Sequence, residues 1–180
     1  GKGSGKFREF DHVNSVPHTA NYCKHMTGRR RRRAAERHVR HHTRSIGGLR
    51  MSIKGSCLCG AVTYEVTAPF QFLGNCHCSK CRKSNGAAFA TWGILNPGTF
   101  QWTSGQDLVQ SYETSPGNAR CFCKRCGSTM ASTHSGVVGE VVVGTVDGDP
   151  GARPREHIFV GSKAPWHEIN DDLRQYNEWG

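Results

Sequence analysis

The sequence predicts a mainly β domain over residues 51–180, with at most one or two short helices. Three observations predict it. Short runs alternate apolar and polar residues with the two-residue period of a half-buried strand. Clusters of Gly, Pro, Asn and Asp punctuate those runs. Eight cysteines after Met51 fall into three tight groups, a spacing that suits metal sites better than a disulfide framework.

In chain order, a strand-like segment follows Met51 directly. Residues 61–67 (AVTYEVT) then set Val62, Tyr64 and Val66 against Thr63, Glu65 and Thr67. Further strands are expected at 87–95, 99–103, 108–113, 137–143 and 157–160, with turns at Asn96-Pro97-Gly98 and over 147–151 (DGDPG). One short helix is expected near 171–176. The longest apolar run, 137–143, is interrupted by Gly139 and Glu140 and falls far short of a membrane span, so a cytoplasmic protein without a membrane partner is expected.

The formal net charge of +10 is unevenly placed. Residues 1–50 hold 13 Lys and Arg against 3 acids, including RRRRR at 29–33, whereas residues 51–180 hold 11 against 11. The first fifty residues lack apolar periodicity and read as a basic, disordered N-terminal extension. Met51 looks like an initiator, which would make that extension upstream or appended sequence. An organelle presequence fits less well, given Gly1, Glu9, Asp11 and Glu36. A nucleic-acid partner is expected only if the extension is native, since no aromatic or motif support accompanies it.

The cysteines outside that extension carry the chemistry. Cys57 and Cys59 precede the first strand, and Cys123 with Cys126 forms a C-x-x-C knuckle before Gly127. Four thiolates make a closed structural zinc site, and this set would clip the two ends of the sheet. Cys76, Cys78 and Cys81 are then a three-thiolate site whose fourth position is free for water or substrate. Two zinc ions are therefore expected. Cys121 has two open readings: a small buried strand residue, or a fourth ligand that closes the second site. His77 raises the same question, although residues flanking cysteines in an extended stretch point away from them.

These motifs resemble a known family. GSCLCGAVTYEV at 55–66, NCHCSKCRKSNGAAFA at 75–90, FCKRCGSTM at 122–130 and HIFVGSKAPWHEI at 157–169 are similar to the glutathione-dependent formaldehyde-activating enzyme family, in which centromere protein V is also placed. The resemblance covers nearly all of 51–180 and nothing before Met51. It implies several coiled antiparallel β-sheets stapled by zinc, a structural site of Cys57, Cys59, Cys123 and Cys126, and a second site of Cys76, Cys78 and Cys81 that carries catalysis. The implied activity is carbon–sulfur lyase chemistry, interconverting S-hydroxymethylglutathione with glutathione and formaldehyde. A small glutathione-like thiol is thus the implied partner.

Zinc at the open site would stabilise negative charge on sulfur or oxygen as the C–S bond forms or breaks. Lys80, Arg82 and Lys83 can hold substrate carboxylates, or merely keep an exposed loop soluble. No residue identifies itself as a general base; His134, His157 and His167 are candidates by type alone. Trp166, after Pro165, is read as an anchor of the chain end to the core. The glycines at 136, 139 and 144 do not form a dinucleotide fingerprint, and no P-loop, nucleophile elbow or carboxylate pair is present. Besides the lyase, a zinc-structured binding module without turnover and a thiol redox or metal-handling protein fit the same cysteines. The sequence leaves the oligomeric state open.

Overall fold

The computed structural model describes residues 52–180. The expected basic extension, with Cys23, lies outside the described residues. In chain order the strands are β1 (Ile53–Ser56), β2 (Thr63–Val66), β3 (Phe72–Cys76), β4 (Ala90–Ile94), β5 (Phe100–Ser104), β6 (Val109–Ser115), β7 (Asn118–Cys123), β8 (Thr129–His134), β9 (Val137–Val142), β10 (Pro154–Ile158) and β11 (Arg174–Gln175). One α-helix among the described residues, α1 (Ser79–Asn85), joins β3 to β4. The strands make a three-stranded sheet, β1-β2-β5, and an eight-stranded sheet, β11-β10-β3-β4-β9-β8-β7-β6.

The expected mainly β architecture stands, and local chemistry accounts for it. Along β2 the alternation buries Tyr64 and Val66 and leaves Thr63 and Glu65 partly exposed. Tyr64 stacks on Phe100 with ring centroids 5.4 Å apart and meets Trp102 edge-on, which pins β2 to β5. Gly55 is required opposite that ring: a Cβ there would lie 2.1 Å from a Tyr64 ring carbon. The β8–β9 hairpin turns on Ser135 and Gly136, both with positive φ (50° and 82°), the geometry that matches strand twist in a two-residue turn.

The pleat sorts the large sheet into two faces. On β3 and β4, Leu73 and Gly93 point one way, and Cys76, Ala90 and Trp92 the other. Carried through the register to β9, β8 and β7, the first face receives Val141, Ala131 and Cys121. The second receives Val142, Ser132 and Arg120. The first face packs with β1 and β2 into the main core, which includes Ile53, Val62, Tyr64, Val66 and Met130. The second holds a smaller buried cluster of Cys76, Cys81, Ala90 and Trp92.

Two expectations need correction. No helix forms at 171–176; instead Arg174–Gln175 pairs in parallel with β10, and Tyr176 N–H donates to His157 O at 2.8 Å, so the backbone there is committed to the sheet. The helix lies at 79–85 instead, where Cys78 caps its start and Gly86, with φ 58°, ends it. Apolar periodicity does not mark this helix because only Cys81 is buried on it. The sheets are also not wholly antiparallel, since β10 runs parallel to both β3 and β11. Among the described residues no helix is long and apolar enough to cross a membrane.

Candidate metal centres

The β1–β2 turn and the β7–β8 connection bring four sulfurs together. Those of Cys57, Cys59, Cys123 and Cys126 all lie within 4.8 Å of one another. Cys57 and Cys59 are 3.5 Å apart, and Cys59 and Cys123 4.0 Å. A zinc ion with Zn–S bonds of about 2.3 Å requires tetrahedral edges of about 3.8 Å, so the donor set fits the metal. Each arm is a tight turn held by backbone bonds, Gly60 N–H to Cys57 O at 2.9 Å and Gly127 N–H to Cys123 O at 2.8 Å. Leu58 N–H donates to Ser128 Oγ at 2.9 Å and ties the arms together. Hydrogen bonding with the Ser128 side chain and backbone pushes the Cys126 thiol down to about 5, toward the thiolate a metal needs.

The second cluster is local to one segment. Cys76 ends β3, Cys78 caps α1 and Cys81 sits in its first turn; their sulfurs also lie within 4.8 Å of one another. Cys76 and Cys81 are buried and Cys78 is half-buried. Cys78 Sγ accepts the Cys81 N–H at 3.4 Å. Hydrogen bonds from the Cys76 and Cys81 thiols, then from the backbone at Cys81 and Lys80, hold Cys78 well below the ordinary thiol range. The same pairing drives Cys76 upward. Three sulfurs in this spacing also fit a thiophilic metal.

Neither alternative fourth ligand joins this cluster. Cys121 faces the main core, on the opposite side of the sheet from Cys76 and Arg120. His77 turns away into a buried chain of polar contacts. Its Nε2 meets His157 Nδ1 at 2.7 Å, and His157 Nε2 lies 3.1 Å from both Asp171 carboxylate oxygens. The carboxylate accepts from His157 Nε2–H, which leaves His157 Nδ1 to accept from His77 Nε2–H. His77 Nδ1 is buried without a partner, and burial, followed by the nearby cationic groups, holds this imidazole down to about 4.

The other sequence-nominated residues separate clearly. Arg82 is spent on backbone carbonyls, Nε to His77 O at 3.2 Å and Nη2 to Ser162 O at 3.3 Å, whereas Lys80 and Lys83 are exposed. His134 contacts Asn118 and Glu140 on β7 and β9, and His167 stacks on His77 with centroids 5.7 Å apart. Trp166 is not an anchor: it is 71 % exposed, and the neighbouring Ala164 is the residue buried there. Sequence reasoning missed Arg120, whose Nη2 donates to Cys81 Sγ at 3.6 Å, and the His157–Asp171 contact. Strand alternation offered the one signal for Arg120, because it puts this residue on the face opposite Cys121. A shallow depression of about 470 Å³, lined by Leu73, Thr91, Asp149 and Arg153 among others, contains no cysteine.

Fold and clusters define a β-sheet protein with two separate thiol sites, each able to hold a metal ion. The chain belongs to the glutathione-dependent formaldehyde-activating enzyme family, whose model matches residues 52–162. A Halomonas elongata protein provisionally named as a glutathione-dependent formaldehyde-activating enzyme is 30 % identical over 129 residues, 66 % of this chain and 82 % of that protein. An uncharacterized lyase of Schizosaccharomyces pombe is 30 % identical over 77 residues, covering 43 % of this chain and 54 % of the lyase. A crystal structure of a Rhodobacter sphaeroides protein is 26 % identical, with a TM-score of 0.42, over 53 % of this chain and 89 % of that one.

Proposed function

We propose that this protein is a zinc-dependent carbon–sulfur lyase acting on the adduct of a small thiol and an aldehyde, of which S-hydroxymethylglutathione is the type. The observation that supports this most is the difference between the clusters: four sulfurs in one, three in the other, with Cys121 turned to the far side of the sheet. When bound at the three-sulfur cluster, zinc supplies a Lewis acid with one exchangeable position. In the breakdown direction the C–S bond breaks with its electron pair going to sulfur, the hydroxyl proton is lost, and the hydroxymethyl carbon leaves as aldehyde. The sulfur ends as a thiol, and no oxidant or reductant is needed.

This chain's residues would serve that reaction in distinct ways. Cys76 and Cys81 are buried, so charge developing near them is poorly screened by water. Cys78 is fixed by capping α1 and cannot swing away without fraying the helix. Lys80 and Lys83 stand exposed on α1 beside the cluster and can pair with the carboxylates of a peptide-like thiol; Arg82 cannot, because backbone carbonyls occupy it. The buried imidazoles of His77 and His157 bond to each other and are not placed as the missing ligand.

The experiment is product analysis of zinc-loaded protein against a panel of thiol–aldehyde pairs. Accelerated exchange with glutathione and formaldehyde supports the reading, and a uniform absence of acceleration returns the protein to a zinc-structured binding module.

A further inference from the structure

Arg120 lies in an unusual setting for a cation. Its guanidinium carbon is 4.6 Å from the centroid of the buried Trp92 ring, one Nη donates to Ser132 Oγ, and the other donates to Cys81 Sγ at 3.6 Å. Its Nε is buried with no hydrogen-bond partner. Among the described residues no carboxylate forms an ion pair with it. Withdrawing a guanidinium from water is costly unless an anion compensates it. The group that can do so is the second cluster, because three thiolates around a divalent ion carry a net negative charge, and an anionic fourth ligand adds one more. Arg120 is half-buried, and its attraction to the cluster rises with that charge.

We propose that Arg120 is a positioning residue of the three-cysteine site: it fixes Cys81 through an N–H···S hydrogen bond and supplies the positive charge that makes the remaining coordination position favour an anionic ligand over a neutral one. The inference rests on the reading of that cluster as an open metal site. It adds the sign of the charge that the site accepts, which for a thiol adduct is the departing sulfur as thiolate. Register explains why the residue can do this, since Arg120, Ser132 and Trp92 share the sheet face that carries Cys76.

The test uses the full chain loaded with cobalt(II) in place of zinc, titrated with azide as the anion and imidazole as the neutral donor, and read from the visible cobalt bands. Arg120→Gln is expected to weaken azide binding by about tenfold to a hundredfold while imidazole binding changes by less than about twofold, and Arg120→Lys is expected to keep most of the azide affinity. Unchanged azide binding in Arg120→Gln, or equal weakening of both ligands, would overturn the proposal. If Arg120→Gln does not load cobalt, Arg120→Lys decides: retained preference for azide supports the proposal and its loss refutes it. A native chain that takes imidazole but no azide also refutes it. A native chain that binds azide but not 2-mercaptoethanol would instead sink the thiol-adduct reading and leave the role of Arg120 standing.

Discussion

Cys78 has two duties. Its sulfur belongs to the second cluster and also accepts the N–H that opens α1. A serine can cap a helix as well as the thiol does but is a poor zinc ligand, so Cys78→Ser separates the duties. Lyase activity is expected to fall by more than about a hundredfold, beyond what the loss of an outer partner costs, with far-UV circular dichroism unchanged. Tyr64 gives a residue-scale test of the core. Burial, only partly offset by its bond to Thr145, pushes its phenol from the ordinary 10 up to about 12. Between those values the unfolded chain has lost a proton that the folded one keeps, so stability present below pH 10 is lost as pH rises toward 12. Tyr64→Phe should flatten that alkaline limb, by up to about 3 kcal/mol in urea melts across it. At this scale the short cysteine motifs were legible, because the spacing inside 57/59, 76/78/81 and 123/126 is local in sequence; the meeting of 57/59 with 123/126 is a long-range contact. Arg120 was not legible, because its neighbours Trp92 and Cys81 meet it only through the register of four strands.

Among the elements, the four-cysteine cluster joins the turn of the small sheet to the β7–β8 connection of the large one. A metal held there would couple binding to folding, so Cys57→Ala or Cys126→Ala is expected to lose the cooperative melt and about half the bound zinc. A near-native melt in either variant would break that pairing. The C-terminal segment is tied differently, through Asp171, His157 and His77. His157→Ala leaves His77 Nε2 buried and unpaired, which costs about 1–3 kcal/mol, and thermal melts should show that loss with zinc content unchanged. Strands β1, β2, β4, β5, β6 and β9 were legible from period and turn residues, whereas β3, β7 and β8 were not, since FLGNC, NARCFC and TMASTH lack a clean apolar–polar alternation. Helix α1 was not expected and the segment holding strand β11 was read as a helix, for one reason: both are short and show almost no buried stripe, so their identity follows from caps and from sheet contacts distant in sequence.

At the scale of the whole molecule, the mainly β class and family membership were readable from strand period and cysteine motifs. The parallel attachment of β10 to β3 was not, since no short-range pattern encodes a pairing between segments some eighty residues apart. What the fold does with that topology is to hold one thiol set as a clip between sheets and the other on a single segment, backed by a cation. The first set is expected to close around its metal and the second to leave a position free. Zinc X-ray absorption on reduced, fully loaded protein addresses it directly. With seven sulfurs shared by two ions, the expected spectrum averages between three and four sulfurs per zinc at about 2.3 Å, with a light atom at about 2.0–2.1 Å that azide perturbs. Four sulfurs per zinc and no light atom would contradict the account and make both sites structural.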